Sequence, residues 1–152
     1  DVFLEVKKKK NYTRTNKRRN QFEFSSNLEK QHIKFIKDQI DLPKSGLNSN
    51  IWTLFDRITL VGKNHLERVT IDTNIRFKNK QGEVGLPEIS IIEVKRDKTT
   101  DSSPFISILN NFKIKPFGIS KYIMGNILLN PEIKHNRFNR KIRTINKLRY
   151  GT

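Results

Sequence analysis

The sequence predicts an α+β domain in which antiparallel strands come first and most of the helices follow. The first observation is an alternation of β-branched or aromatic residues with polar ones, which is typical of half-buried strands. The segments that show it span residues 2–9, 12–24, 51–62, 66–79 and 87–97. The second observation is that regular crossover helices do not separate these segments, which favours an antiparallel sheet over a parallel one.

Helical periodicity begins at residues 26–41, where Ser26 is the expected N-cap. The apolar residues at helical spacing in this segment are Leu28, Ile33, Ile36 and Ile40. Two further helices are predicted, from about 103 to 111 and from about 119 to 129. Pro131 ends the second of them, because proline cannot continue a helix.

The predicted organisation is one domain over residues 1–130, followed by a strongly basic stretch over 131–152. That stretch is expected to form either a helix on the outside of the domain or a loosely held tail. The tripeptide Glu-Val-Lys occurs twice, at 5–7 and at 93–95, which suggests two related halves. Because the chain starts at Asp1 inside a predicted strand, we expect an N-terminal portion of the domain to precede it.

The charge balance points to an anionic partner. The chain carries 31 Lys and Arg against 15 Asp and Glu, a formal net charge of +16. The excess positive charges repel one another and destabilise the compact state. Binding to nucleic acid, an acidic membrane surface or phosphate would offset this repulsion. The absence of cysteine excludes disulfides and thiolate zinc sites and fits a cytoplasmic location. No apolar run reaches the roughly 18 residues needed to span a bilayer, although a membrane partner remains open.

The two-residue period of a strand sorts the side chains of each predicted strand onto two faces. Apolar side chains such as Ile92 and Val94 face one way, toward helices that would wrap the sheet. On a single strand the charged face is simply the solvated one. Four such strands together favour a sheet that curls into a tunnel with the charges inside, where cations hold a polyanion and acids hold a hard divalent ion. The residues assigned to the charged faces are Phe3, Glu5, Lys7, Lys17, Arg19, Arg68, Thr70, Asp72, Arg76, Ile91, Glu93 and Lys95.

The motifs "LEVKKK", "KRR", "ERVTIDTNIRF", "LPEISIIEVKRD" and "FGISKYIMGNILL" follow one another within residues 1–130. Together they resemble the VTC-type polyphosphate polymerase domain of the triphosphate tunnel metalloenzyme superfamily. The resemblance implies an antiparallel β-barrel, or tunnel, with flanking helices. It also implies ATP and polyphosphate as partners, Mg²⁺ or Mn²⁺ as cofactor, and transfer of the terminal phosphoryl group of ATP onto a growing chain. The superfamily's E-x-E-x-K signature is incomplete, since Phe3 and Ile91 replace two acids.

The resemblance also implies roles for individual residues. Glu93 is the expected metal carboxylate, and Glu5 is a second candidate. Asp72 is expected either to touch the metal or to hold Arg68 or Arg76 in place. The implied phosphate ligands are Lys7, Lys17, Arg19, Arg68, Arg76, Lys95 and Lys121, all but Arg76 also being expected to act in catalysis.

Two alternatives from other functional classes stay open. The same residues would serve a triphosphatase, in which water replaces the chain end, or a non-catalytic polyphosphate-binding module. Nucleic acid is disfavoured, because its usual stripe of basic and stacking aromatic residues fits the basic stretch at 131–152 better than the strands. Neither a Ser-His-Asp arrangement nor a P-loop is present. The scattered histidines, without metal-ligand spacing and expected on the surface, are His32, His65 and His135.

Overall fold

The computed structural model describes residues 1–10, 14–43, 46–63, 66–96 and 103–151. The strands are β1 (Phe3–Lys10), β2 (Arg14–Gln21), β3 (Trp52–Val61), β4 (Glu67–Lys78), β5 (Glu83–Leu86) and β6 (Ile91–Arg96). The helices are α1 (Lys30–Lys37), α2 (Pro104–Asn111), α3 (Lys121–Leu129) and α4 (Asn139–Tyr150), with a 3₁₀ turn at Asn136–Phe138. The predicted α+β class with antiparallel strands is confirmed. The chain forms two compact units, Asp1–Ser49 and Asn50–Thr152.

The first unit contains the antiparallel hairpin of β1 and β2, followed by α1. Helix α1 begins after Glu29 and not after the predicted N-cap Ser26. The reason lies in His32, whose Nδ1 accepts a hydrogen bond of 2.9 Å from the backbone N–H of Glu29. His32 is buried, with its ring 4.8 Å from that of Phe22, so the expectation that it lies on the surface was wrong.

The second unit is built on a sheet with β4 at its centre. Strand β3 pairs with one edge of β4, and β5 and β6 share the other edge, all antiparallel. Strand β5 was missed in the sequence, because Gly82, Gly85 and Pro87 are typical of turns. Across the described ranges the strands form two hydrogen-bonded sheets, this one and the β1–β2 hairpin, and neither closes into a barrel, so the tunnel is not confirmed.

A β-bulge in β4 changes which residues share a face. Thr73 pairs with Asp56 and Arg76 pairs with Leu54, so two residues of β4 oppose one residue of β3. The first of the two, Asn74, has a φ of 50°. The bulge shifts the alternation, so Arg76 lies on the opposite face from Asp72, and the prediction that these two share a face was wrong.

The core of the second unit lies on the same face of β4 as Asp72. Its buried cluster consists of Ile75, Phe77, Leu86, Ile89, Met124 and Ile145. Helices α3 and α4 contribute Met124 and Ile145, so they cover this face. The expectation that helices also cover the face with Ile92 and Val94 holds only in part. Glu67 on that face accepts hydrogen bonds from Ser103 and Phe105 at the start of α2, whereas Ile92 is exposed. No helix in the described part of the chain is long and apolar enough to cross a membrane.

Gly125 allows α3 to approach β4 closely. A Cβ at this position would lie 2.6 Å from Cδ1 of Ile51 and 2.7 Å from Cγ of Phe77, which is closer than real contacts allow. We expect Gly125→Ala to lower the free energy of unfolding by about 1–3 kcal/mol through overpacking. Urea denaturation followed by circular dichroism would measure the change.

Gly118→Ala provides the control for this substitution, because its Cβ would meet only Nζ of Lys141, at 3.6 Å. This flexible side chain can move, so Gly118→Ala is expected to change stability by less than about 0.5 kcal/mol. An equal loss in both variants would show that close packing is not the reason for Gly125.

Candidate functional site

One face of the sheet in the second unit, here called the charged face, gathers most of the predicted site residues of that unit. It consists of Arg57, Arg68, Thr70, Asp72, Glu93 and Lys95, together with Lys121 from α3. Antiparallel pairing explains the grouping, since directly opposed residues point to the same side of a sheet. The opposed pairs are Arg57 with Asp72, Thr70 with Glu93, and Arg68 with Lys95.

Asp72 organises two of the cations. It is 2% exposed and accepts hydrogen bonds from Nε and Nη2 of Arg57, at 2.5 and 2.8 Å. Its second oxygen also accepts from Nζ of Lys121. The sequence left open whether Asp72 holds Arg68 or Arg76, and both assignments were wrong. A buried carboxylate needs such partners. The ion pairs with Asp72 therefore hold the side chains of Arg57 and Lys121 in place on the charged face.

Electrostatics favour the charged forms of Asp72 and Arg57. The hydrogen bonds from Arg57 hold the pKa of Asp72 below its usual value against the opposing effect of burial, and Lys121 lowers it further. The hydrogen bond to Asp72 raises the pKa of Arg57, and the charge of Glu93 adds to this effect. The ring of Phe55 makes cation–π contacts with both cations, its centroid lying 4.9 Å from Cζ of Arg57 and 4.6 Å from Nζ of Lys121.

The other charged side chains of the charged face are open to solvent. Nζ of Lys95 lies 3.2 Å from Oε1 of Glu93, and both side chains are about half exposed. Arg68 is also exposed. An exposed ion pair of this kind contributes little to stability, so Lys95 and Glu93 can turn toward a ligand at small cost.

The hairpin of the first unit carries a second group of cations. Lys7 and Lys17 both bind the carboxylate of Glu5, the first at 3.0 Å. The guanidinium of Arg19 lies 4.7 Å from the ring centroid of Phe3. The pairing of β1 with β2 places these five side chains on one face, as the sequence predicted.

The two Glu-Val-Lys copies form the same ion pair within their strands, but their glutamates differ in exposure. Burial alone would raise the pKa of Glu5, but hydrogen bonds from Lys17 and Lys7 outweigh it and the pKa is lowered. Its side chain is 24% exposed, against 54% for Glu93. Glu93 is therefore the more available carboxylate of the two.

Two residues change the predicted set. Arg76 is separated from the charged face by the bulge, and its Nη1 lies 3.7 Å from Oε1 of Glu83. Arg57 was missed, although Phe55, Arg57 and Thr59 follow the same two-residue period that identified the other strands. Its signal was weaker because β3 has a single cation within its ten residues.

The described residues contain no group of three or more His, Cys, Asp or Glu side chains that could hold a metal ion. His65 lies outside these residues. On the charged face Asp72 is occupied by Arg57 and Lys121, which leaves Glu93. One accessible carboxylate fits a magnesium-like ion only if phosphate oxygens and water supply the other ligands.

Together these features define an α+β domain that presents Arg and Lys side chains from one face of an antiparallel sheet. The chain belongs to the VTC domain family, whose model matches residues 1–130. This confirms the family assigned from the motifs and indicates a polyphosphate-related role. No curated protein and no solved structure matches the chain significantly. Helix α4 lies beyond the residues that match the family.

Proposed function

We propose that this domain binds polyphosphate on the charged face and lengthens it with the terminal phosphoryl group of ATP. The observation that carries the proposal is the grouping of four cations around two carboxylates in a member of the VTC domain family. Four cations exceed what the two acids neutralise, so the face attracts a multiply charged anion. The cations are Arg57, Arg68, Lys95 and Lys121.

The positions of these cations suggest a division of roles. Arg68 and Lys95 are exposed and directly opposed, which suits them to bind the phosphate chain. Arginine does this through paired hydrogen bonds to phosphate oxygens. Lys121 and Arg57 are held by Asp72 and would stabilise the charge that develops during transfer. Lys121 also lies in the first turn of α3, where the helix dipole favours an anion.

In the proposed reaction a terminal oxygen of the chain attacks the γ-phosphorus of ATP. The bond between that phosphorus and the β,γ-bridging oxygen breaks, and ADP leaves. Such transfers depend mainly on positioning and charge stabilisation, for which fixed cations are sufficient. A bound Mg²⁺ or Mn²⁺ would neutralise phosphate charge, with Glu93 as its protein ligand and Glu5 as the weaker candidate.

The hairpin of the first unit would add phosphate ligands of its own. Lys7, Lys17 and Arg19 share one face and are exposed. Glu5 restrains the two lysines, much as Asp72 restrains Lys121.

We expect Glu93→Gln to reduce polyphosphate synthesis by on the order of 100-fold, the loss typical of one preorganised electrostatic group. The protein would be incubated with ATP and Mn²⁺, and the products resolved on a gel stained for polyphosphate. Glu83→Gln is the matched control, because Glu83 pairs with Arg76 on the opposite face. The control is expected to synthesise polyphosphate at the wild-type rate.

The same experiment separates the alternatives. Release of free phosphate from ATP without a ladder of products would identify a triphosphatase. Binding of polyphosphate without turnover would identify a binding module. The latter is favoured by one observation, the lack of a group of acids able to hold a metal among the described residues.

A further inference from the structure

Thr70 occupies the centre of the charged face, and its hydroxyl has no partner. The residue is 9% exposed, and its Oγ1 is buried without a hydrogen bond to any of the described residues. Buried hydroxyl groups in native proteins are nearly always hydrogen-bonded, because desolvation without compensation is unfavourable. An unpartnered hydroxyl at such a position therefore calls for a ligand.

Polar residues lie next to Thr70 on all three strands, including Thr59 opposite it on β3, yet each carboxylate among them has another donor. Thr70 lies between Arg68 and Asp72 along β4 and directly opposite Glu93 on β6. Asp72 accepts from Arg57 and Lys121, and Glu93 pairs with Lys95. The hydroxyl of Thr70 is thus a hydrogen-bond donor without an acceptor among the described residues, and cations lie around it.

We propose that the Thr70 hydroxyl donates a hydrogen bond to a phosphate oxygen of the chain bound on the charged face. The inference rests on the proposed function, since it assigns a neutral ligand to the same site. A hydroxyl supplies one donor, and a phosphate oxygen offers only acceptors, so the two are complementary. Glu93 lies across from Thr70 with a half-exposed side chain, and its rotation toward a ligand would give that ligand access to the hydroxyl.

Thr70→Val keeps the shape of the side chain and removes the hydroxyl. If the hydroxyl donates a hydrogen bond to the bound phosphate, Thr70→Val will weaken binding of inorganic tripolyphosphate about 10-fold, as expected for one hydrogen bond to a charged group. Stability will stay constant or rise, because an unsatisfied polar group has been removed. Titration calorimetry measures the affinity, and urea denaturation measures the stability.

Two further variants serve as controls. Thr70→Ser keeps the hydroxyl and is expected to bind tripolyphosphate within about 3-fold of wild type. Thr73→Val makes the same chemical change in the same strand on the other face, where Thr73 pairs with Asp56. It is expected to leave affinity unchanged.

A loss of stability with unchanged affinity in Thr70→Val would show that the hydroxyl is structural and would overturn the inference. Arg68→Gln separates this failure from failure of the proposed function. If Arg68→Gln weakens tripolyphosphate binding and Thr70→Val does not, only the role of Thr70 is wrong. If neither variant changes the affinity, the charged face is not the binding site and both proposals fail.

Discussion

Asp72→Asn is expected to lower the free energy of unfolding by about 2–3 kcal/mol at neutral pH. Removing one partner of a buried ion pair typically costs about 3–5 kcal/mol, because the remaining charge loses its compensation. A smaller loss is expected here, since Arg57 and Lys121 are 41% and 21% exposed and can turn partly to solvent. Asparagine keeps the size of the side chain, so the change reports the lost charge and the hydrogen bonds to one carboxylate oxygen, and not a cavity.

The pH dependence of the unfolding free energy tests whether the charge of Asp72 is the cause of this loss. A carboxyl whose pKa is depressed on folding contributes stability above its ordinary pKa, which is 3.8 for Asp72. That contribution is lost as the pH falls through the lower folded-state pKa. The difference between wild type and Asp72→Asn should therefore be largest near neutral pH and shrink in acid. Urea denaturation at pH 7 and at successively lower pH values would measure it.

Asp56→Asn is the control for Asp72→Asn. Asp56 lies in β3 on the opposite face, where it is exposed and accepts a hydrogen bond of 2.6 Å from Asn74. Its replacement is expected to cost less than about 1 kcal/mol, as is usual for exposed charged groups. Equal losses in the two variants, or a difference that persists unchanged in acid, would contradict the role assigned to the Asp72 cluster.

The alternation of polar and apolar residues predicted β4 correctly as far as Asp72 and failed beyond it. The failure has a local cause, the positive φ of Asn74, which asparagine tolerates better than most residues. Nothing in the spacing distinguishes a bulge from a continuous strand, because the bulge forms only when β3 pairs with β4. Arg68 was therefore placed on the correct face and Arg76 on the wrong one.

The partners of Asp72 show a second limit of the sequence. Arg57 and Lys121 lie 15 and 49 residues from it along the chain. The S-K-Y motif identified Lys121 through its family, whereas Arg57 lies in none of the motifs that carry the resemblance. Strand periodicity assigns a residue to a face, but only the fold determines which residues of different strands meet there.

Arg68→Gln is expected to reduce polyphosphate synthesis by about 10²–10³-fold, and Arg76→Gln is expected to leave it within about 2-fold of wild type. Both arginines are exposed side chains of β4. Arg68 lies beside β6, which carries Glu93, and Arg76 lies beside β5, which carries Glu83. They differ in the face they occupy, because the bulge at Asn74 lies between them. The two variants make the same chemical change and remove the same charge, so a difference between them reports the face on which the arginine lies.

The two outcomes have different physical origins. Arg68 lies opposite Lys95, so its loss removes half of the exposed cationic pair on the charged face. Arg76 is engaged with Glu83, so its loss removes one weak surface ion pair. Synthesis rates from ATP and Mn²⁺, measured with tripolyphosphate affinity and unfolding curves for each variant, separate lost function from lost folding. Equal losses of activity in two equally stable variants would mean that phosphate is attracted by overall charge and not by the charged face.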